Sequence, residues 1–218
     1  EAVISAQAQL IAKWMSLGFI HGVMNTDNMS ISGETIDYGP CAFMDTFNPA
    51  QVYSFIDKQG RYAWGNQPRI ASWNLARFAE TLLPLIADQP EHAVELATGA
   101  LQGFNTENEA AFLQLMGEKI GLKAATKADE VLIRDLLNLM SANSADFSQT
   151  FRLLGLSVAN TTQGAAQLFA DSSSWQQWAN RWQTRLAAQG LALNEVQQQM
   201  DATNPALVPR NHHVAKAI

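Results

Sequence analysis

The sequence predicts a mainly α-helical fold, interrupted near its N-terminal end by one short β-hairpin. Three observations predict it. Apolar residues recur at helical spacing from Val3 to Leu17, two short alternating runs flank Gly33 and Glu34, and from Pro68 onward apolar stripes follow one another with brief breaks. The chain has 218 residues, 47% of them hydrophobic. That is enough for one substantial core, so residues 1–218 are read as a single mostly helical domain.

The first helix carries Ile4, Ala8, Ile11 and Met15 beside Val3, Leu10, Trp14 and Leu17, and Gly18 supplies its stop. A loop follows to Asn28. In "MSISGETID" the glycine tolerates the backbone reversal that a tight hairpin requires. After Pro40 the chain reads as irregular to about Gln67, with turn signals at "FNPA", "DKQG" and "WGNQP". Asn66 and Pro68 then open a helix, "PRIASWNLARFAETLLPLI", because a first turn tolerates the N–H that proline lacks. Further helices are expected over "PEHAVELATGALQGF", over "TENEAAFLQLMGEKIG" with Thr106 and Glu109 as a capping box, and over "TKADEVLIRDLLNLMSA". Later come "DFSQTFRLLG", "SSWQQWANRWQTRLAAQG" and "NEVQQQMDATNP", and "VPRNHHVAKAI" reads as a helix just starting. Trp175, Trp178 and Trp182, spaced i, i+3, i+7, read as a core or interface stripe. No fixed-period repeat or linker stands out, and both ends look cut, as in a piece of a longer protein.

Composition narrows the function. Fourteen Lys and Arg against 20 Asp and Glu give a net charge of −6 with no basic run, so no nucleic-acid partner is expected. No apolar run approaches the ~20 residues of a membrane span, and the N-terminus lacks a basic signal-peptide region, so the chain reads as soluble and cytoplasmic. Cys41 is the only cysteine. It excludes an internal disulfide, and it reads as a packed small apolar residue rather than a nucleophile.

The stretch from Phe19 to Pro40 places Asp27, Asn28 and Asp37 around one short loop. Asp and Asn favour turns because their side chains bond nearby backbone, so the trio can be turn chemistry or a grip for a hard cation. An EF-hand is excluded, since the third, fifth and sixth positions from Asp27 are Met29, Ile31 and Ser32. The order of the pieces is informative. A buried helix, a loop with His then Asp and Asn, a hairpin, then Asp-aromatic-Gly is the arrangement of a protein-kinase catalytic lobe. Two oxygen ligands from opposite ends of a hairpin can converge on one magnesium ion, with waters and phosphate oxygens filling the rest. This is not an ordinary kinase pattern, because no Arg follows His21, Asn28 directly follows Asp27, and Tyr38 stands where Phe is usual.

The stretches "HGVMNTDNMSISGETIDYGPCAFMD", "GRYAWGNQPRIASWNLARFAETLLPL" and "NPALVPRN" closely resemble the selenoprotein O family, also called YdiU or UPF0061, of kinase-like protein AMP-transferases. The resemblance implies a protein-kinase-like C-terminal lobe with its hairpin at the metal site, followed by a helical extension. Residues 1–65 would hold the catalytic loop, hairpin and DYG segment, and residues 66–218 the helical region. The ATP-binding N-terminal lobe would lie upstream and is absent here. Such a pseudokinase moves AMP from ATP to Ser, Thr or Tyr hydroxyls of proteins. By resemblance Asp27 is the base, and Asn28 and Asp37 bind Mg2+ or Mn2+. This piece alone would be inactive. Two rival readings stay open, a kinase-like phosphotransferase using the same ligands and a non-catalytic helical interaction module. His21 reads as loop support, Arg69 and Arg77 as solvated arginines, and Asn66 to Arg69 carry no assigned role.

Overall fold

The structure, a computed structural model, describes residues 1–217. It contains eight α-helices and a single two-stranded sheet among the described residues, so the mainly helical expectation holds. The chain forms two compact units, Glu1–Ala42 with Pro49–Phe112, and Phe43–Asn48 with Leu113–Ile218.

The first unit opens with α1 (Ala2–Leu17), which buries Ile4, Ala8, Ile11, Ala12, Trp14 and Met15 on one face. Gly18 ends it in the left-handed region, its N–H donating to Met15 O at 3.1 Å. Strand β1 (Phe19–Ile20) follows and pairs with β2 (Ala42–Phe43). The expected hairpin is reduced to one antiparallel bridge, Met29 with Thr35, closed by Gly33 N–H donating to Ser30 O at 3.1 Å. Gly33 is required there for two reasons. Its φ is +74°, and a Cβ would lie 2.8 Å from Ala6 Cβ on α1.

Helix α2 (Gln67–Ile86) begins where Asn66 and Pro68 predicted, and it buries Gln67, Ile70, Ala71, Asn74 and Leu75. The two helices expected over 90–104 and 106–121 are one continuous helix, α3 (Pro90–Lys119), and the Thr106–Glu109 capping box does not form. The reason lies on the inner face. Ala93, Ala97, Phe104 and Asn108 are all buried, and Asn108 Nδ2 donates to Ala8 O at 2.8 Å, so one packed stripe runs straight through the polar signal at Thr106.

The second unit holds the tryptophan stripe. Helices α4 (Glu130–Ala142), α5 (Phe147–Ser157), α6 (Ser172–Ala187) and α7 (Leu193–Thr203) agree with the sequence reading to within a few residues. Trp175, Trp178 and Trp182 on α6 are buried, and their indole N–H groups donate to Thr161 O, Leu132 O and Ile120 O at 2.8, 2.9 and 2.7 Å. Burial of three indoles without orphaned donors makes α6 the spine of this core. Segment 43–48 joins the unit through an antiparallel bridge, Thr46 with Asp146. Arg210 clamps that junction, reaching Asp45 Oδ1 at 2.5 Å and Asp146 Oδ2 at 2.6 Å just before the short final helix α8 (Asn211–Ala217).

Candidate active site

Residues Thr26–Asn28 form a single 3₁₀ turn, with Asn28 N–H donating to Asn25 O at 3.0 Å. So short a turn has little stability of its own, and side chains from α1, α2 and the intervening loop hold it in place. Tyr62 O–H donates to Asn25 Oδ1 at 2.6 Å, and Asn74 Nδ2 on α2 donates to Met24 O at 2.9 Å. Gln7 Nε2 on α1 donates to Ser30 O at 2.5 Å. The turn is thus gripped on both flanks.

His21 is fully buried, as loop support requires. Its backbone N–H donates to Gln67 Oε1 at 3.1 Å, while Gln67 Nε2 donates to Phe19 O at 3.0 Å. Its Nε2 lies 2.8 Å from Ile36 O, and since a carbonyl only accepts, Nε2 carries the proton. Nδ1 accepts weakly from Val23 N–H at 3.4 Å. Both ring nitrogens are therefore engaged, and the ring ties the residue before Asp37 to the start of the loop that carries Asp27 and Asn28.

Asp27 and Asp37 are exposed and Asn28 is half-buried. Asn28 Nδ2 donates to Val23 O at 3.0 Å, which directs its Oδ1 away from that carbonyl. Asp27 and Asn28 precede the Met29–Thr35 bridge and Asp37 follows it, so the three lie at the open end of the reversal. Asp37 itself has φ +54°, a left-handed conformation that only Asn and Asp among ordinary residues adopt with ease, and Gly39 N–H donates to its carbonyl at 2.8 Å. The donor set is all hard oxygen, which suits magnesium or manganese rather than a softer metal. No group of three His, Cys, Asp or Glu side chains that could hold a metal occurs among the described residues. These residues would therefore serve only an ion that keeps waters or phosphate oxygens as further ligands.

Cys41 is half-buried, and burial pushes its thiol up from its ordinary value, against a smaller opposing backbone hydrogen bond. That disfavours the thiolate and agrees with a packing role. Arg77 pairs with Glu80 at 2.6 Å and lies over the Trp73 ring, and Arg69 is exposed, as solvated arginines would be.

Gln7, Tyr62, Gln67 and Asn74 are the positioning residues that sequence reasoning missed. Three of them carried a signal. Gln7 stands among Ile4, Ala8 and Ile11, and Gln67 and Asn74 share a stripe with Ile70, Ala71 and Leu75. A polar amide on the apolar stripe of an amphipathic helix is costly unless paired, and here each is paired to site backbone.

Comparison with known proteins finds relatives along the whole of the chain. It is 52% identical over 217 residues to a protein nucleotidyltransferase YdiU of Bradyrhizobium diazoefficiens, covering 99% of this chain and 44% of the relative. A protein of the same name from Geobacillus kaustophilus is 50% identical over 218 residues, covering 100% of this chain and 44% of that protein. One from Methylorubrum extorquens is 48% identical over 226 residues, again covering 100% of this chain and 46% of the relative. The chain thus spans less than half the length of the curated relatives it matches. The family described as protein adenylyltransferase SelO matches residues 1–218, and the chain belongs to that family.

Proposed function

We propose that the protein to which this chain belongs transfers AMP from ATP to Ser, Thr or Tyr hydroxyls of other proteins, and that the chain contributes the catalytic loop and metal-holding residues. The observation that carries the reading is the loop's construction. Asp27 and Asn28 sit on one arm of the Met29–Thr35 bridge and Asp37 on the other, with the His21 ring bonded to Ile36 O beside Asp37 and to Val23 N–H ahead of the turn. The order helix, loop, bridge and Asp-Tyr-Gly supports a protein-kinase-like C-terminal lobe, whose ATP-binding partner lobe would lie outside residues 1–218.

In this reading Asn28 and Asp37 hold a magnesium or manganese ion, which when bound neutralises charge on the triphosphate. Asp27 orients the acceptor hydroxyl and takes its proton late, as a carboxylate beside a dication is a weak base. The braces from Gln7, Asn74, Tyr62 and Gln67 keep these groups aligned, because placement supplies most of the rate in such transfers. It follows that residues 1–218 alone transfer little or nothing.

The full-length protein, given an acceptor protein and ATP labelled at either the α or the γ phosphate, tests the proposal. Label from the α position should appear on the acceptor with release of pyrophosphate. Transfer of γ label alone would replace the proposal with a phosphotransferase, and transfer of neither would leave a binding module.

A further inference from the structure

Between Asp57 and Glu80 an acidic chain turns basic. That stretch holds Lys58, Arg61, Arg69 and Arg77 against Asp57 and Glu80, whereas the whole chain has 14 Lys and Arg against 20 Asp and Glu. Both acids are already engaged. Asp57 accepts from the backbone N–H groups of Arg61 and Tyr62 at 2.8 Å each, and Glu80 pairs with Arg77 at 2.6 Å. Cationic charge is left over.

That charge collects around one ring. Arg69, Trp73 and Arg77 stand at i, i+4 and i+8 on α2, so they share a face of the helix, and all three are exposed. Arg61 reaches the same indole from the loop ahead of α2, its guanidinium carbon 4.9 Å from the Trp73 ring centroid, and that of Arg77 lies 5.4 Å from it. Among the described residues no carboxylate pairs with Arg61. Two guanidiniums drawn to one indole repel each other, and an anion shared between them relieves the repulsion. Trp73 is itself 43% exposed, and Trp with Arg are the side chains that carry most binding energy where proteins meet. The patch also adjoins the turn that carries Asp27 and Asn28. Arg61 lies 5.7 Å over the Tyr62 ring, whose O–H donates to Asn25 Oδ1 at 2.6 Å, and Arg77 lines the same hollow as Thr26.

Resting on the reading that Asp27 acts on an acceptor hydroxyl, we propose that the face made by Arg61, Trp73 and Arg77 selects acceptor proteins whose modified hydroxyl lies beside Asp or Glu residues. A chain presenting its hydroxyl to Asp27 needs only a few extended residues, each spanning roughly 3.3–3.6 Å, to bring a neighbouring carboxylate to these arginines. Arg61 and Arg77 take the carboxylates through their planar forks, Trp73 packs against the stems of the same side chains, and Arg69 adds attraction at the edge. A nucleic-acid backbone is a poor occupant, because four cations beside two acids in a chain of net charge −6 neutralise few phosphates. The face thus reads the charge around the hydroxyl.

The test uses the full-length protein and fluorescently labelled peptides that differ only in carrying Glu, Gln or Lys around a single Tyr. By anisotropy at low salt the Glu peptide should bind at least roughly ten-fold more tightly than the Gln peptide. Arg61→Gln combined with Arg77→Gln should bring those two peptides within about two-fold of each other, and Arg61→Glu combined with Arg77→Glu should make the Lys peptide the tightest binder. Both arginines are exposed, so these substitutions leave the packed core untouched. Equal binding of the Glu and Gln peptides to the unaltered protein, as when the rest of the chain covers the face, would overturn the proposal. A Glu preference that survives both double substitutions would overturn it as well. Anisotropy reads binding without group transfer, so failure of this proposal and failure of the AMP-transfer reading are told apart.

Discussion

At Asp37 the backbone and the side chain can be separated by choice of substitution. The left-handed φ of +54° is tolerated by Asn as well as Asp, whereas Ala there adds strain of the order of 1 kcal/mol. Asp37→Asn therefore removes the charge and keeps the turn, and both Asp37→Asn and Asp37→Ala should abolish transfer if the carboxylate holds the metal. Asn28→Ala should raise the metal concentration needed while leaving the chain folded, since it forfeits one partly buried bond to Val23 O worth about 1 kcal/mol. Nucleotide transfer measured at limiting metal checks both, and unchanged rates in both would remove these residues from the metal site.

Lys119 gives a residue-scale prediction about stability. Its ammonium lies 4.4 Å from the Phe151 ring centroid and 5.7 Å from that of Phe147, and burial lowers its pKa from 10.5 to about 7. Between those values the unfolded chain binds more protons than the folded one, so stability rises with pH across that window. Below about pH 7 the full cost of the buried charge is present. Lys119→Met should therefore stabilise the protein at pH 6 by a few kcal/mol, on the scale of about 1.4 kcal/mol per pKa unit. The gain should fade toward pH 10.5, and urea unfolding at the two pH values measures it. An equal effect at both would show that the cation is not the source.

At the scale of elements, the helices were legible where one apolar stripe met a clear stop, as at Gly18 and at the start of α2. They were misread where a local polar signal lay on a continuous packed face. Thr106 and Glu109 spell a capping box, yet buried Phe104 and Asn108 hold α3 together through it. Thr126 shows the opposite outcome, for its backbone N–H and hydroxyl both bond Asp129 Oδ2 and a real cap opens the turn before α4. The hairpin was legible as a reversal but not as a single bridge, since its length depends on packing of Gly33 against Ala6. The junction made by Arg210 was invisible in sequence, because Asp45, Asp146 and Arg210 are far apart along the chain. These two carboxylates raise the Arg210 pKa further above its ordinary value, with Asp146 the larger contributor. Arg210→Ala should cost the second unit roughly 1–3 kcal/mol in urea unfolding, and Arg210→Lys less, because lysine keeps the charge without the fork. A stable alanine variant would show the clamp to be idle.

For the whole molecule, the motifs made family membership legible, and the family match over residues 1–218 bears it out. What the sequence could not show was how so exposed a loop stays in place. The answer is distributed over Gln7, Tyr62, Gln67 and Asn74, which lie up to 50 positions from the groups they hold. No described helix is long and apolar enough to cross a membrane. In the proposed reading Asp27 acts on the acceptor hydroxyl, and the metal falls to Asn28 and Asp37. Single-turnover AMP transfer and nucleotide affinity, measured for full-length Asp27→Asn across a manganese titration, test it most directly. A base at Asp27 predicts unchanged affinity and a rate lower by roughly 10²–10⁴, the usual cost of losing a general base, at every metal concentration. Affinity and rate that fall together and recover as manganese rises would contradict it and make Asp27 a partner of the metal.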